Sequence, residues 1–500
     1  MTYPSWQRTK IVCTLGPATD PPGVIGQLIS CGMDVARINA SHGDHADHAR
    51  RIQQVRHAAW EFDQPVAILI DLPGPKFRLG DLPGGFRKLA EGATVRLAEE
   101  NGLAQEGSEW GQGRTLLPVR NPELLRALRA EESVFLADGS IELRIKATAA
   151  EGGDILCEVR IGGIVRSGSG INVPESALSA WVPTDEDRRH LAFAVSQEAE
   201  WVGVSFVQSA DDLVRVRACL PSGDTEQPLL MAKIEKRRAL ADLDAIVKAS
   251  DGVMVARGDL GVETNLAEIP IVQKRIIAAA NALGRPVVTA TQMLESMVAH
   301  EHPTRAEATD VANAVLDGTD AVMLSAETAI GRFPVAAVRF LEGVLAATEK
   351  AYGARMAHDR MKPADAAGLS NEAEDALSFA ACLLAARLGA RAIVVPVRTM
   401  AAALAIARFR PQAPLVMVAD SVRLYRSLAL VSSVLPLLSS APHAGAGPQA
   451  CLAQAQAWLF SHGLAQAGDQ AVLVFASSTG CGRTDTLRSV RLGSDEAEGK

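Results

Sequence analysis

The sequence predicts an α/β protein: a (β/α)8 TIM barrel with an all-β domain inserted after its third strand and a separate C-terminal α/β domain. Three observations carry this. Eight short apolar runs, Lys10–Gly16, Asp34–Ala40, Val66–Leu72, Trp201–Phe206, Leu229–Glu235, Gly252–Ala256, Pro286–Ala290 and Asp320–Leu324, alternate with segments of helical spacing. The alternation breaks once, over residues 75–174, where glycine-rich segments follow a two-residue period instead. No glycine-rich dinucleotide turn follows any strand, which favours a closed barrel over an open doubly wound sheet.

The first strand is stopped by Gly16-Pro17, and Val24–Ser30 then has helical spacing. The second strand leads into a helix starting within Ser41–Trp60. The third ends in Asp71-Leu72-Pro73-Gly74-Pro75, a run of turn formers. In the insertion, ATVRLAE, IELRIKA and ILCEVRI alternate apolar and polar residues, which predicts antiparallel strands. Thr184 and Asp187 stand in capping-box spacing where the barrel resumes. Residues 351–370 are polar with glycine and proline and predict a linker. A helix over Asn371–Leu388, a strand over Ala392–Val397, a helix over Thr399–Ala407 and strands over Pro414–Ala419 and Gln470–Ala476 predict the last domain. The plan is residues 1–74 with 175–350 for the barrel, 75–174 for the insertion and 371–500 for the C-terminal domain.

A chain of 500 residues with 48% hydrophobic and 22% charged residues can bury a large core in several domains. A net charge of −8 argues against a general nucleic-acid surface. No apolar run is long enough for a bilayer, and the N-terminus has no apolar leader core. The seven cysteines, Cys13, Cys31, Cys157, Cys219, Cys382, Cys451 and Cys481, form no CxxC pair. These features predict a cytoplasmic protein whose partners are neither nucleic acid nor membrane.

The chemistry gathers between Met231 and Glu263. Lys233 and Glu235 are two apart on the fifth strand and share a face, and Asp259 follows the end of the sixth. That places a lysine and two carboxylates at the C-terminal edge of neighbouring strands, where parallel α/β folds build active sites. Two carboxylates suit Mg2+ or Mn2+, which take oxygen ligands and keep waters and substrate in the other positions. A lysine beside them is a mobile point charge, fit for a phosphoryl group in transfer. Arg37, Asn39 and Ser41 share a face of the second strand, and Arg37 has the fork to hold a phosphate. His42, His45 and His48 fall on a loop and a first helical turn and read as surface histidines, not a metal cluster.

AKIE (Ala232–Glu235) and VMVARGDLGVE (Val253–Glu263) resemble pyruvate kinase. So do TKIVCTLGPAT (Thr9–Thr19), DVARINASHGDH (Asp34–His45), ATQMLESM (Ala290–Met297), the run from Pro303 to Pro334, and RFRPQAP (Arg408–Pro414), in the same order over nearly the whole chain. The resemblance implies a glycolytic phosphotransferase that turns phosphoenolpyruvate and ADP into pyruvate and ATP with Mg2+ or Mn2+, as a homotetramer. It implies Lys233, Arg37, Thr291, Ser325 and Glu327 as the catalytic set, with Thr291 helping to protonate the enolpyruvate carbon and Ser325 and Glu327 supporting that proton path. Gly258 and Asp259 join Arg37, Lys233 and Thr291 at the substrate; Glu235 and Asp259 hold the metal; Asn39, His42 and Arg78 meet the nucleotide. The insertion becomes a lid whose Asp138 reaches the site on closure, although the residues alone read equally as an Asp-Gly hairpin turn. Thr291 could also cap a following helix. Two other readings stay open: a lyase using the same metal pair on an enolate, and a non-catalytic paralogue. The lyase needs neither Lys233 nor a lid, and the paralogue would be expected to lose Lys233, Glu235, Asp259 or Thr291; all four are present.

The chain departs from the family's usual pattern in three places. Most members carry an acidic residue where this chain has Lys76, and bind K+ there. Here Lys76 stands with Leu72 and Leu79, while Asn39, Ser41 and Asp71 remain, which resembles the family's lysine-bearing branch and implies activity without K+. Ser169 holds the place of a lysine that touches ATP in relatives. In Pro396–Ala403, Thr399 is the only hydroxyl in the segment where relatives bind a sugar phosphate, with Arg398 beside it. That predicts loss of the effector pocket, because a phosphate needs several donors.

Overall fold

A computed structural model describes residues 6–99, 115–137, 139–148, 154–174, 182–221, 227–360, 372–440, 447–476 and 484–493. The eight predicted strands are present, as Lys10–Thr14, Met33–Asn39, Ala67–Asp71, Trp201–Val204, Leu229–Ile234, Gly252–Ala256, Val287–Ala290 and Ala321–Leu324. Each pairs in parallel with its sequence neighbours, and the first pairs with the eighth, so the sheet closes into a barrel. Alternate residues serve two cores. Val12, Val35, Leu69, Trp201, Met231, Met254, Val288 and Met323 fill the interior. Ile11, Ile68, Ile70, Val202, Val253 and their equivalents pack outward beneath the helices. Strands buried on both sides read as continuous apolar runs, which is why they were legible.

The predicted cap at the return to the barrel is formed. Thr184 Oγ1 accepts from the Asp187 amide (3.0 Å), and Asp187 Oδ2 accepts from the Thr184 amide (2.9 Å). Asp187 also accepts from the Gly74 amide (3.0 Å), which ties down the turn after the third strand.

The insertion forms a seven-stranded sheet and a two-stranded one. Its pairings are antiparallel as expected, except that Thr94–Glu99 runs parallel to Thr115–Val119. The C-terminal domain holds five strands, with Ala392–Val397 flanked by Leu415–Ala419 and Gln470–Phe475. Two of its strands escape a sequence reading. Val434–Leu438 carries Pro436, tolerable because the strand lies at the sheet edge, and Thr486–Arg491 is a polar antiparallel edge. The helix Pro448–Ser461 is likewise not apparent from the pattern.

The segment expected as a linker is helical in its first part, because the helix Pro334–Arg360 runs into it. Its alanines, arginines and methionine are good helix formers, and no proline intervenes before Pro363. The C-terminal domain seals the N-terminal end of the barrel: Ala429 and Leu430 join the interior cluster, and Trp201 Nε1 donates to the Ser427 carbonyl (3.3 Å). Arg410 pairs with Asp320 (2.6 Å) at the foot of the eighth strand. Among the described residues no helix is long and apolar enough to cross a membrane, and the six described cysteines are free.

Candidate active site

The two-residue period of the strands places the charges. Going up the third strand, the interior positions are Ala67 and Leu69, and the next is Asp71. On the fifth strand Met231 is followed by Lys233, and on the second Val35 by Arg37. Interior positions thus change from apolar to ionised at the C-terminal rim.

Asp71 is the hub. Its Oδ2 accepts from Arg37 Nε (2.8 Å) and lies 2.7 Å from Nη2, while its Oδ1 is 3.0 Å from Lys233 Nζ. Lys233 Nζ also reaches Glu235 Oε1 (2.8 Å) and donates to Ser205 Oγ (2.7 Å), which donates on to the Leu72 carbonyl (2.7 Å). The Phe206 amide donates to Glu235 Oε2 (2.7 Å). Arg37 Nη1 donates to Thr14 Oγ1 (2.9 Å). Asp71 and Glu235 are each only 1% exposed, so two cations and two anions sit almost free of water. Taking each ion out of water costs several kcal/mol, and the mutual pairing together with the hydrogen bonds to Ser205, Thr14 and the Phe206 amide offsets it.

The protonation states follow. Burial pushes the Asp71 carboxyl up, but Lys233 and Arg37 outweigh it and hold the group below the usual range. Burial opposes the Lys233 ammonium, yet Asp71 and Glu235 win and raise its pKa, so it stays charged. Glu235 is raised by burial and by the Asp259 carboxylate against the pull of Lys233. Two carboxylates whose charges press on each other make a donor set that fits an oxygen-ligated divalent cation, with waters and substrate as the remaining ligands.

The sixth and seventh strands complete the rim. Thr291 Oγ1 accepts from the Gly258 amide (2.8 Å) and donates to the Ala290 carbonyl (2.7 Å). Thr291 does not cap a helix: the next one, Glu295–Val298, starts after Leu294. Instead Thr291 and Gln292 lie at φ +68° and +54°, strain on the order of 1–3 kcal/mol each. Glu327, fully buried, accepts from the Ser325 amide (2.7 Å) and the Leu294 amide (3.0 Å), joining the ends of the seventh and eighth strands. The Ser325 hydroxyl is buried with no hydrogen-bond partner among the described residues.

Lys76 Nζ lies 3.8 Å from Asp259 Oδ1. The Asn39 carboxamide oxygen accepts from the Ser41 amide (3.2 Å). Arg78 stands on the insertion's first strand and donates to the Gly168 carbonyl (3.1 Å). Ser169 Oγ accepts from the Arg166 amide (3.1 Å). Asp138 lies outside the described residues, but its neighbour Gly139 faces Val262, which a Cβ there would meet at 3.1 Å. In the C-terminal domain, the Thr399 hydroxyl caps the helix Met400–Ala407, and Arg398 is 3.3 Å from Asp420.

One of the three histidines corrects the sequence reading. His42 and His45 are exposed, but His48 is buried on the stripe of Arg51, Ile52 and Val55. Burial, with Arg51 nearby, lowers its pKa to about 4. His45 Nε2 is 3.0 Å from His190 Nδ1, and its ring stacks on Phe193.

Sequence reasoning missed Ser205 and Gly203. The signal was present: Trp201, Gly203 and Ser205 continue the same alternation as Met231, Lys233 and Glu235. A Cβ at Gly203 would come within 3.1 Å of Asp71 Oδ1, so glycine leaves that carboxylate its room.

Comparison with known proteins agrees with this geometry. Residues 6–338 match the family described as "Pyruvate kinase, barrel domain", and residues 375–490 match "Pyruvate kinase, alpha/beta domain". The chain belongs to the pyruvate kinase family. Pyruvate kinase 2 of Synechocystis sp. is 40% identical over 437 residues, 87% of this chain and 71% of the relative. The pyruvate kinase of Agrobacterium vitis is 38% identical over 490 residues, 97% of each chain. That of Geobacillus stearothermophilus is 37% identical over 492 residues, 98% of this chain and 81% of the relative. The chain is therefore an enzyme of the pyruvate kinase class, a transferase on a barrel scaffold.

Proposed function

We propose that this enzyme transfers the phosphoryl group of phosphoenolpyruvate to ADP in the cytoplasm, using Mg2+ or Mn2+ and no K+. The carrying observation is the buried ammonium of Lys233, fixed within about 3 Å of Asp71 and Glu235 at the barrel rim. An ammonium preorganised by its neighbours stabilises charge on a phosphoryl group in transfer without having to reorient, an effect on the order of 3–4 kcal/mol per donor. Arg37, pinned by Asp71 and Thr14, holds a phosphate oxygen from the other side. Glu235 and Asp259 would hold the divalent ion, which supplies Lewis-acid charge to the phosphoryl and carboxylate oxygens. Gly258 and Asp259 face the substrate carboxylate, and Asn39, His42 and Arg78 the nucleotide, with Asp138 brought in by the lid. Thr291 protonates the enolpyruvate carbon, directly or through water, with Ser325 and Glu327 supporting it.

K+ independence is supported by Lys76, whose ammonium lies near Asp259, and by Asp71, whose two oxygens already face Arg37 and Lys233. A K+ seated about 4 Å from that ammonium would be repelled by about 4 kcal/mol at an effective dielectric near 20. A coupled assay for pyruvate tests the whole reading. Activity should require phosphoenolpyruvate, ADP and Mg2+, and should be the same in Na+- and K+-free buffer as with K+ at matched ionic strength. A tenfold or larger rise on adding K+ overturns the role of Lys76, and absence of pyruvate overturns the function. Sedimentation of the same preparation tests the homotetramer that the family implies.

A further inference from the structure

Arg257 follows the sixth strand directly, and its side chain is 10% exposed. A guanidinium has five N–H donors in a rigid fork, and here all five are engaged. Nε donates to the Ala290 carbonyl (3.3 Å), and Nη1 to Asp310 Oδ2 (2.6 Å) and Gln273 Oε1 (3.4 Å). Nη2 donates to the Thr291 carbonyl (2.6 Å) and to Met293 Sδ. Two of these acceptors are the carbonyls on either side of the strained Thr291. A β-branched residue at positive φ does not stay there on its own account; surrounding contacts must impose it. Arg257 supplies them from one side of the loop, and the Gly258 amide, next in the chain, grips the Thr291 hydroxyl.

We propose that Arg257 is a positioning residue for proton transfer. It clamps the Ala290 and Thr291 carbonyls so that Thr291 Oγ1 faces the reacting carbon, and Asp310 fixes the clamp. This rests on the role proposed above for Thr291. In that step the enolate left by phosphoryl transfer re-forms its C2=O bond while C3 takes a proton from the hydroxyl or from a water it holds; solvent then returns the proton. Lysine could not replace the clamp, since its three donors radiate from one point and cannot span carbonyls and carboxylate together.

The test separates the two half-steps. ATP formed in a single turnover reports phosphoryl transfer, and deuterium uptake into the pyruvate methyl group, with Mg2+ and ATP in D2O, reports proton transfer. Arg257→Lys should slow deuterium uptake at least about tenfold more than it slows phosphoryl transfer, as expected for a reacting group displaced by a fraction of an ångström. Asp310→Asn should move the ratio the same way by less. Parallel loss of both half-steps, or unchanged deuterium uptake, overturns the proposal. Should Arg257→Lys fail to fold by circular dichroism, Asp310→Asn decides by the same ratio. Thr291→Val is the reference: if it keeps wild-type uptake, the Thr291 reading fails and takes the clamp with it. If Thr291→Val loses uptake while both clamp variants retain it, only the clamp is wrong.

Discussion

The two ends of one barrel interior differ completely in chemistry. Near the base the inward residues are Val12, Val35, Leu69, Trp201 and Met231, closed off by Ala429 and Leu430 of the C-terminal domain. At the rim, on the same strands, stand Thr14, Arg37, Asp71 and Lys233, about as buried as the residues below them. The backbone is the same at both ends. What differs is how burial is made favourable: removal of apolar surface from water below, mutual ion pairing above. Stability and chemistry are therefore separable along a single strand, and mutations at the two levels should fail differently.

The largest effect is expected at the rim. Lys233→Met should abolish phosphoryl transfer while leaving the fold in place, because Asp71 retains Arg37 and Glu235 retains the Phe206 amide. A variant keeping more than about a tenth of wild-type kcat would place the value of that ammonium under about 1.4 kcal/mol and remove Lys233 from its role. At the base, Trp201→Ala should behave in the opposite way. Loss of the largest interior side chain and of its bond to Ser427 should cost about 3–5 kcal/mol in denaturant unfolding, with kcat per folded molecule changed little. A kcat loss as large as that of Lys233→Met, with unfolding unchanged, would erase the contrast between the two ends. The smallest effect concerns the distant C-terminal turn. Since the Thr399 hydroxyl caps its helix and Arg398 faces Asp420, fructose 1,6-bisphosphate should shift the apparent affinity for phosphoenolpyruvate by less than about tenfold, since a phosphate cradle needs several free donors. A larger shift in a titration would show that other groups hold the effector.

Much of this was legible beforehand for a local reason. Barrel strands buried on both faces are continuous apolar runs, and the two-residue period alone puts Lys233 with Glu235 and Arg37 with Asn39 on shared faces. The capping box at Thr184 needs only a four-residue window. Segments whose burial depends on distant partners were not legible. Pro436 disguised an edge strand, a polar edge hid Thr486–Arg491, and His48 looked like a surface residue although the helix turns it inward.

By itself, then, the sequence determined the eight strands of the barrel, the faces that Lys233 shares with Glu235 and Arg37 with Asn39, and the identity of the ionised groups at the rim, because these depend on near neighbours and on backbone periodicity. Only the tertiary structure decided that Asp71 joins Arg37 to Lys233, that Lys76 comes to Asp259, that Ser205 steadies the ammonium and that Arg257 binds the carbonyls around Thr291. Those pairings connect residues roughly 30 to 180 positions apart. They exist only once the barrel closes and its register aligns the strand ends, a cooperative outcome of packing that no local window contains.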